Sequence, residues 1–372
     1  MPSTRFVRRA LTLAGAAGLV LGAALPAASA TAAPAAATPG WRLVQKLGPS
    51  ESDWTTSFDA VSATDAWSTW SAAGNKDVEH WNGRSWQRLP VPASLISRVA
   101  GAPIGASSAS DVWTFGAIGS VVRYNGSKWQ AQAIPKWAVH FNLSGDTEVT
   151  PAVFSPANVW AFSLGWDKPT DPDHYAAHYN GRSWSKVELP AVPYTVSVVS
   201  PTDIWAMGPS PRNIAKWMLM HWNGKTWSTP PMPKATVPKG DSAQFTSLLG
   251  SGAASAWMVA SISTSSLVPA KAELLHWNGK SWTNVAIKYP TTSMDIASDG
   301  DGGLWAAAWG TGPKYAEHFY HLSGGRWSQY AVPDGVDVQP GLTWIPGTRS
   351  VWATGDLIDK NAVYGATLKY GA

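Results

Sequence analysis

Seven short segments ending in tryptophan recur along this chain at nearly constant spacing. "SATDAW" ends at Trp67, "SASDVW" at Trp113, "SPANVW" at Trp160 and "SPTDIW" at Trp205, and looser copies end at Trp257, Trp305 and Trp352. The intervals are 46, 47, 45, 52, 48 and 47 residues. A steady period of this size means one supersecondary unit copied many times, each copy burying its apolar face against its neighbours. No other feature restricts the fold as much.

A second series follows the first. "NGRSW" leads to Trp86, "NGSKW" to Trp129, "NGRSW" to Trp184, "NGKTW" to Trp227, "NGKSW" to Trp282 and "GGRW" to Trp327, six copies against seven of the other motif. The missing copy is divided between the ends of the sequence. "ATLKYGA", ending at Ala372, matches the strand that leads into "HWNG", and "GWRLVQKLGP", from Gly40, matches "SWQRLPVP". Within each unit, short alternating runs bounded by Asn-Gly, Ser-x-x-Asp and Pro clusters read as β-strands. Asn-Gly takes the positive backbone angles of a tight hairpin at little cost. Four strands per unit of about 47 residues define a propeller blade. The expected fold is therefore all-β: a seven-bladed β-propeller of four-stranded blades, closed by the N-terminal strand pairing with the C-terminal three. Closure removes exposed sheet edges.

The hairpin "HWNG..W" or "YNG..W" followed by "LPxP" or "PPMP" resembles the outer hairpin of kelch repeats in galactose-oxidase-like propellers. The spacing from Gly83 to Trp86 also resembles the Gly-x-Thr-Trp end of sialidase-type Asp-boxes. The kelch double glycine is reduced to single glycines such as Gly116 and Gly208, and Trp81 stands where the Asp-box aspartate would be.

The start of the chain reads as an export signal. Arg5, Arg8 and Arg9 precede the apolar run "ALTLAGAAGLVLGAAL", and "ASA" at 28–30 supplies small residues for cleavage. Residues 1–30 are thus expected to be a signal peptide, 31–40 an Ala/Pro linker and 41–372 a single propeller domain. General secretion is preferred to twin-arginine export, since little of that motif surrounds Arg8-Arg9. The mature protein is expected to be secreted, extracellular, monomeric and without a membrane anchor. There is no cysteine, so a secreted chain of this kind must rely on its size and closure rather than on disulfides. Removing the signal lowers the net charge from +4 to +1, which leaves no electrostatic reason to bind nucleic acid.

Of 24 tryptophans, seven fall outside the repeat positions: Trp54, Trp70, Trp137, Trp166, Trp217, Trp309 and Trp344. The repeat-locked ones are expected to be the packing layer between blades. His80, His178, His221, His276 and His321 share one repeat position. They fall on five different blades, so they cannot converge on one metal and are read as structural. Trp344, eight residues before Trp352, is aligned with Asp59, Gly105, Ala152, Ser197, Leu249 and Ala297. A large ring there is expected to plug the central channel or else to floor a pocket. The Ser-x-x-Asp and Asn-Gly turns share one end of the disc, and irregular loops occupy the other, where binding usually resides. Trp166, Asp167, His174, Arg212, Trp309 and Tyr315 belong to that end and, with Trp344, form the candidate ligand site. Flat apolar rings beside hydrogen-bonding groups suit a sugar.

No cofactor or metal is expected. Asp167, Asp171 and Asp173, and separately Asp299 and Asp301, are acidic stretches that do not complete a calcium loop. Among the activities the resemblance implies, the oxidase needs a cysteine cross-linked to tyrosine, which this chain lacks. A sialidase needs clustered arginines, whereas Arg84, Arg182 and Arg326 sit in hairpin turns. A glycosidase needs two opposed carboxylates, for which Asp59 and Asp167 are the nominees. The expected function is a non-catalytic binding propeller for carbohydrate, cell-wall polymer or an extracellular protein. A propeller-type carbohydrate-active enzyme is the alternative.

Overall fold

The computed structural model describes residues 40–49, 54–72, 75–99, 101–116, 120–135, 137, 149–163, 174–264, 269–309, 317–359 and 362–371. The expected signal peptide and nearly all of the expected linker lie outside them. The described residues form seven four-stranded antiparallel sheets, built from strands numbered β1 to β28 in chain order. The first blade is β2 (Trp54–Ser62), β3 (Asp65–Ala72), β4 (Asn75–Trp81) and β5 (Trp86–Leu89), paired in that order. Five blades repeat this arrangement. The seventh consists of β26 (Val336–Trp344), β27 (Val351–Asp359) and β28 (Ala362–Tyr370), completed by β1 (Trp41–Pro49) as its outer strand.

The closure expected from the divided repeat is therefore present. Trp41 pairs with Tyr370 and Leu43 with Leu368. Lys46 reaches Asp359 at 2.8 Å, and Arg42 donates to the Gly371 carbonyl. Trp41 also stacks on Phe319 of the sixth blade, with ring centroids 3.6 Å apart. The N-terminal strand thus fastens both its own sheet and the neighbouring one.

The Asn-Gly hairpin explains why "HWNGRSW" is kept. Trp81 pairs with Trp86, so residues 82–85 form a four-residue connection rather than a two-residue turn. Asn82 Oδ1 accepts the N–H groups of Arg84 and Ser85 at 3.0 and 3.1 Å. Gly83 adopts φ 90°, a region that L-residues with a side chain rarely occupy. A Cβ there would lie 2.8 Å from Thr64 Cγ2. The outer hairpin thus rests on the inner turn, and the two regular turns share one end of the disc.

The first tryptophan series forms the packing layer. Trp67, Trp113, Trp205, Trp305 and Trp352 are essentially inaccessible. Each ring projects into the next blade: Trp113 meets Tyr179 and Trp184, Trp160 meets Trp222, and Trp352 meets Trp81 and Trp86. Burying one such ring removes about 150–250 Å² from water, worth about 4–6 kcal/mol at 25 cal/mol per Å².

The five histidines prove to be struts. His80 Nε2 lies 2.9 Å from Asp65 Oδ1, which also accepts Trp67 Nε1–H at 2.9 Å. The histidine contact recurs at His178 with Asn158, His221 with Asp203, His276 with Ser255 and His321 with Asp299. Asn158 likewise accepts the Trp160 indole N–H at 3.1 Å, whereas Trp205 donates to the Gly252 carbonyl. In the second blade Arg123 takes the place, with Nε 2.9 Å from Asp111. Each histidine lies flat on its tryptophan at centroid distances of 4.0–4.3 Å.

Among the described residues one α-helix interrupts the β pattern. Helix α1 (Ala93–Val99) joins the first two blades, and its Val99 is fully buried in the cluster around Trp67. Among the described residues no helix is long and apolar enough to cross a membrane.

Candidate ligand site on the axis

The first strand of each blade lies innermost, and each touches the next around a complete ring. These strands are β2, β6 (Ile104–Ser108), β10 (Val149–Ser155), β14 (Thr195–Ser200), β18 (Ser242–Gly252), β22 (Ser293–Ser298) and β26. An inner strand has a sheet partner on one edge only, so N–H groups on its other edge need acceptors. Short polar side chains of the preceding blade supply them. Ile104 N–H donates to Ser57 Oγ at 2.9 Å and Ala106 N–H to Asp59 Oδ2 at 2.6 Å. Gly250 N–H donates to Ser197 Oγ at 2.9 Å, and Leu342 N–H to Asp295 Oδ2 at 3.0 Å. Ser247 Oγ–H adds a bond to Asp295 Oδ1 at 3.2 Å.

Between these strands lies a cavity of about 750 Å³, within the about 300–1,000 Å³ of small-molecule sites. Its walls come from β2, β14, β18, β22 and β26, and it reaches the end that carries the regular turns, at Ser251, Gly300 and Pro346. Thr195, Ser197, Thr246 and Thr343 line it together with Val196, Leu248 and Trp344. Asp59 and Asp295 line the same space. Both carboxyls touch the cavity yet sit deep within the disc. Burial pushes Asp59 up to about 6, against the opposing pull of the Ala106 and Ala60 N–H groups. Burial also raises Asp295, opposed by its bonds from Leu342 and Ser247.

Trp344 does line the axis, but in a different slot from the one its spacing implied. The residue opposite Trp352 is Thr343, and Trp344 pairs with Val351. The other blades place Asp59, Gly105 and Ser197 opposite Trp67, Trp113 and Trp205. The last turn is one residue longer than theirs, which shifts the alignment. Trp344 Nε1–H donates to the Thr348 carbonyl at 2.8 Å, and a Cβ on Gly300 would collide with the indole. The ring therefore lies at the mouth of the cavity without filling it.

Of the other candidates, only His174 and Arg212 have described side chains. Trp166, Asp167 and Tyr315 lie outside the described residues, as does the side chain of Trp309, whose backbone pairs with Ser293 and Glu317. His174 is half-buried, with its carbonyl accepting Leu189 N–H at 2.7 Å. Arg212 is exposed at a hairpin tip. None of the described candidates except Trp344 touches the axial cavity. Of the acidic stretches, Asp171 and Asp173 also lie outside. Asp299 is buried and spends Oδ1 on the N–H groups of Asp301 and Gly303, while Asp301 pairs with Arg349. Among the described residues no group of three or more His, Asp or Glu is placed to hold a metal. The axial hydroxyls and Asp295 escaped the sequence reading. Their signal, short polar residues on the innermost strands such as Ser197 and Asp295 four positions before the inner turn, is visible only once the register is known.

The fold and site define a seven-bladed β-propeller with an axial cavity lined by both polar and apolar side chains. No family model and no curated protein matches the sequence. Similar solved structures include YCF48 bound to a D1 peptide, with TM-score 0.57 and 11% identity over 91% of this chain and 99% of that one. YCF48 from Cyanidioschyzon merolae gives TM-score 0.57 and 12% identity over 89% and 98%. A Mycobacterium tuberculosis puromycin-hydrolyzing peptidase gives 0.52 and 15% over 87% of this chain and 54% of its own. At such identities the likeness concerns the fold alone.

Proposed function

We propose that this chain is an exported binding propeller that holds a polyhydroxylated ligand, a carbohydrate or a segment of cell-wall polymer, in its axial cavity. The observation that carries the reading is the lining, in which the hydroxyl-bearing residues Thr195, Ser197, Thr246 and Thr343 accompany Trp344. A sugar ring presents hydroxyls at its edge and C–H groups on its faces, so it needs both kinds of partner. Retention on purified polysaccharides and cell walls tests this. Trp344→Ala and Ser197→Val should each weaken it about tenfold, a loss near 1.4 kcal/mol. Retention unchanged by Trp344→Ala removes the axial site. The loop-end set of Trp166, Asp167, His174, Arg212, Trp309 and Tyr315 is a second surface of the same reading, tested by Trp166→Ala with Trp309→Ala in the same assay.

Export rests on Arg5, Arg8 and Arg9, the apolar run and the Ala-Ser-Ala ending. Terminal sequencing of protein from the medium should begin near Thr31, and an uncleaved terminus there would refute it.

A second reading, glycoside hydrolysis, is favoured by Asp59 and Asp295 sharing one cavity. Against it, both are engaged by backbone N–H groups of the following blade. Hydrolysis of polysaccharide by the native chain, abolished in Asp59→Asn, would favour catalysis over binding.

A further inference from the structure

The fourth blade has an incomplete outer edge. Its third strand, β16 (Asn213–Trp222), is ten residues long, but the outer strand β17 (Trp227–Ser228) has two. β17 pairs with His221 and Trp222 alone. Toward β15 (Asp203–Ser210), Ser210 pairs with Asn213 and Pro209 with Trp217, so Ile214, Ala215 and Lys216 bulge without partners. Asn213 to Lys216 are all exposed, and Ile214 keeps 46% of its surface in water. Among the described residues, the outer edge from Asn213 to Met218 pairs with no strand, and Ala215 N–H bonds only the Asn213 side chain.

Beside this edge runs a groove of about 310 Å³ between the fourth and fifth blades, lined by Ala215, Trp217, Met232, Ala243, Gln244 and Phe245. Trp217 is steadied edge-on by Tyr194, with centroids 5.1 Å apart. The segments that supply the groove are rich in exposed cations, Arg212, Lys216, Lys234 and Lys239, and Asp241 is the one acid between residues 212 and 245. Glu273, which reaches this region at Thr236 N–H, is already paired with Lys271 at 2.9 Å.

We propose that this edge and groove take an extended acidic polypeptide segment, which adds to the fourth blade alongside β16. Main-chain hydrogen bonds to the free edge would hold it, alternate apolar side chains would enter the groove, and its carboxylates would face the four cations. A bulge and a lysine are also the usual guards of a free edge. A guarded edge, however, has no use for an adjoining groove lined by Trp217, Met232 and Phe245. The surface is separate from the axial cavity and shares no residue with it.

The test titrates labelled decapeptides with the full chain: alternating Glu and Val, alternating Lys and Val, and the Glu/Val peptide N-methylated on alternate backbone nitrogens. The Glu/Val peptide should bind and should slow amide exchange at 213–218. N-methylation and Trp217→Ala should each weaken it at least about tenfold. The exposed double variant Arg212→Glu with Lys216→Glu should lose the acidic peptide and gain the basic one. Several outcomes overturn the proposal: no binding of the Glu/Val peptide at about 1 mM, equal binding of its N-methylated form, or indifference to charge reversal. Self-association that protects 213–218 would also overturn it, assigning the edge to a second copy of this chain.

Discussion

His80 lies flat against Trp67, ring centroids 4.3 Å apart, while Asp65 binds the imidazole and the indole through one oxygen. The repeated histidine is thus a brace between the inner turn and the third strand of its blade.

Two copies of this brace should make the fold acid-sensitive. His178 and His276 face the neutral Asn158 and Ser255, and burial holds both below the ordinary 6.5. The unfolded chain then binds more protons just below that value, so stability falls as pH drops through 6.5 toward the folded pKa. On acidification from pH 7.5 to about 5, the double variant His178→Gln with His276→Gln should lose less stability in urea unfolding than the native chain does.

Asp59 should act with the opposite sign. Its folded pKa of about 6 exceeds the ordinary 3.8, so the folded chain binds the proton more tightly. This contribution grows as pH falls from 7 through 6 toward 3.8, and the ionised carboxylate costs stability at neutral pH. Asp59→Asn keeps an oxygen for Ala106 N–H. It should therefore stabilise the protein at pH 7.5 by up to about 3 kcal/mol while removing this pH dependence. A destabilised Asp59→Asn in the same urea series would show that the charge is needed.

Closure can be probed at Trp41, which stacks on Phe319 and pairs with Tyr370. Trp41→Ala should cost about 3 kcal/mol and lower the melting temperature. Deleting residues 41–49 should expose β28 as a free edge, seen as aggregation in light scattering.

The Asn-Gly hairpin gives a fourth expectation. Gly83→Ala combines a φ of 90° with a Cβ 2.8 Å from Thr64, so it should cost about 1–2 kcal/mol in urea unfolding. Gly240→Ala, also at positive φ but with open space around it, should cost less. Equal losses would mean that contact with Thr64 is immaterial.

The architecture was legible because it is written in repeats. The tryptophan period fixed the blade count, and the divided seventh copy pointed to the pairing of Trp41 with Tyr370. The site was less legible for physical reasons. Which residues face the axis depends on register, and one extra residue in the last turn moved Thr343 into the slot assigned to Trp344. Asp295 gave no signal because its role, accepting Leu342 N–H from the next blade, exists only between units. Helix α1 was missed because a seven-residue helix of ordinary composition has little local signature. The unpaired edge of β16 follows from the shortness of β17, which the repeated "NGKTW" conceals.

The partnership of β1 and β28 has a consequence for biogenesis. Arg42 and Gly371, bonded across this seam, stand 329 positions apart. During synthesis β1 must wait, unpaired, until the last blade has been made, because ordering so long a loop is slow and rewarded only at its end. A prematurely terminated chain lacks the docking strand and leaves its N-terminal segment loose. Completion of the disc therefore requires that synthesis has reached β28.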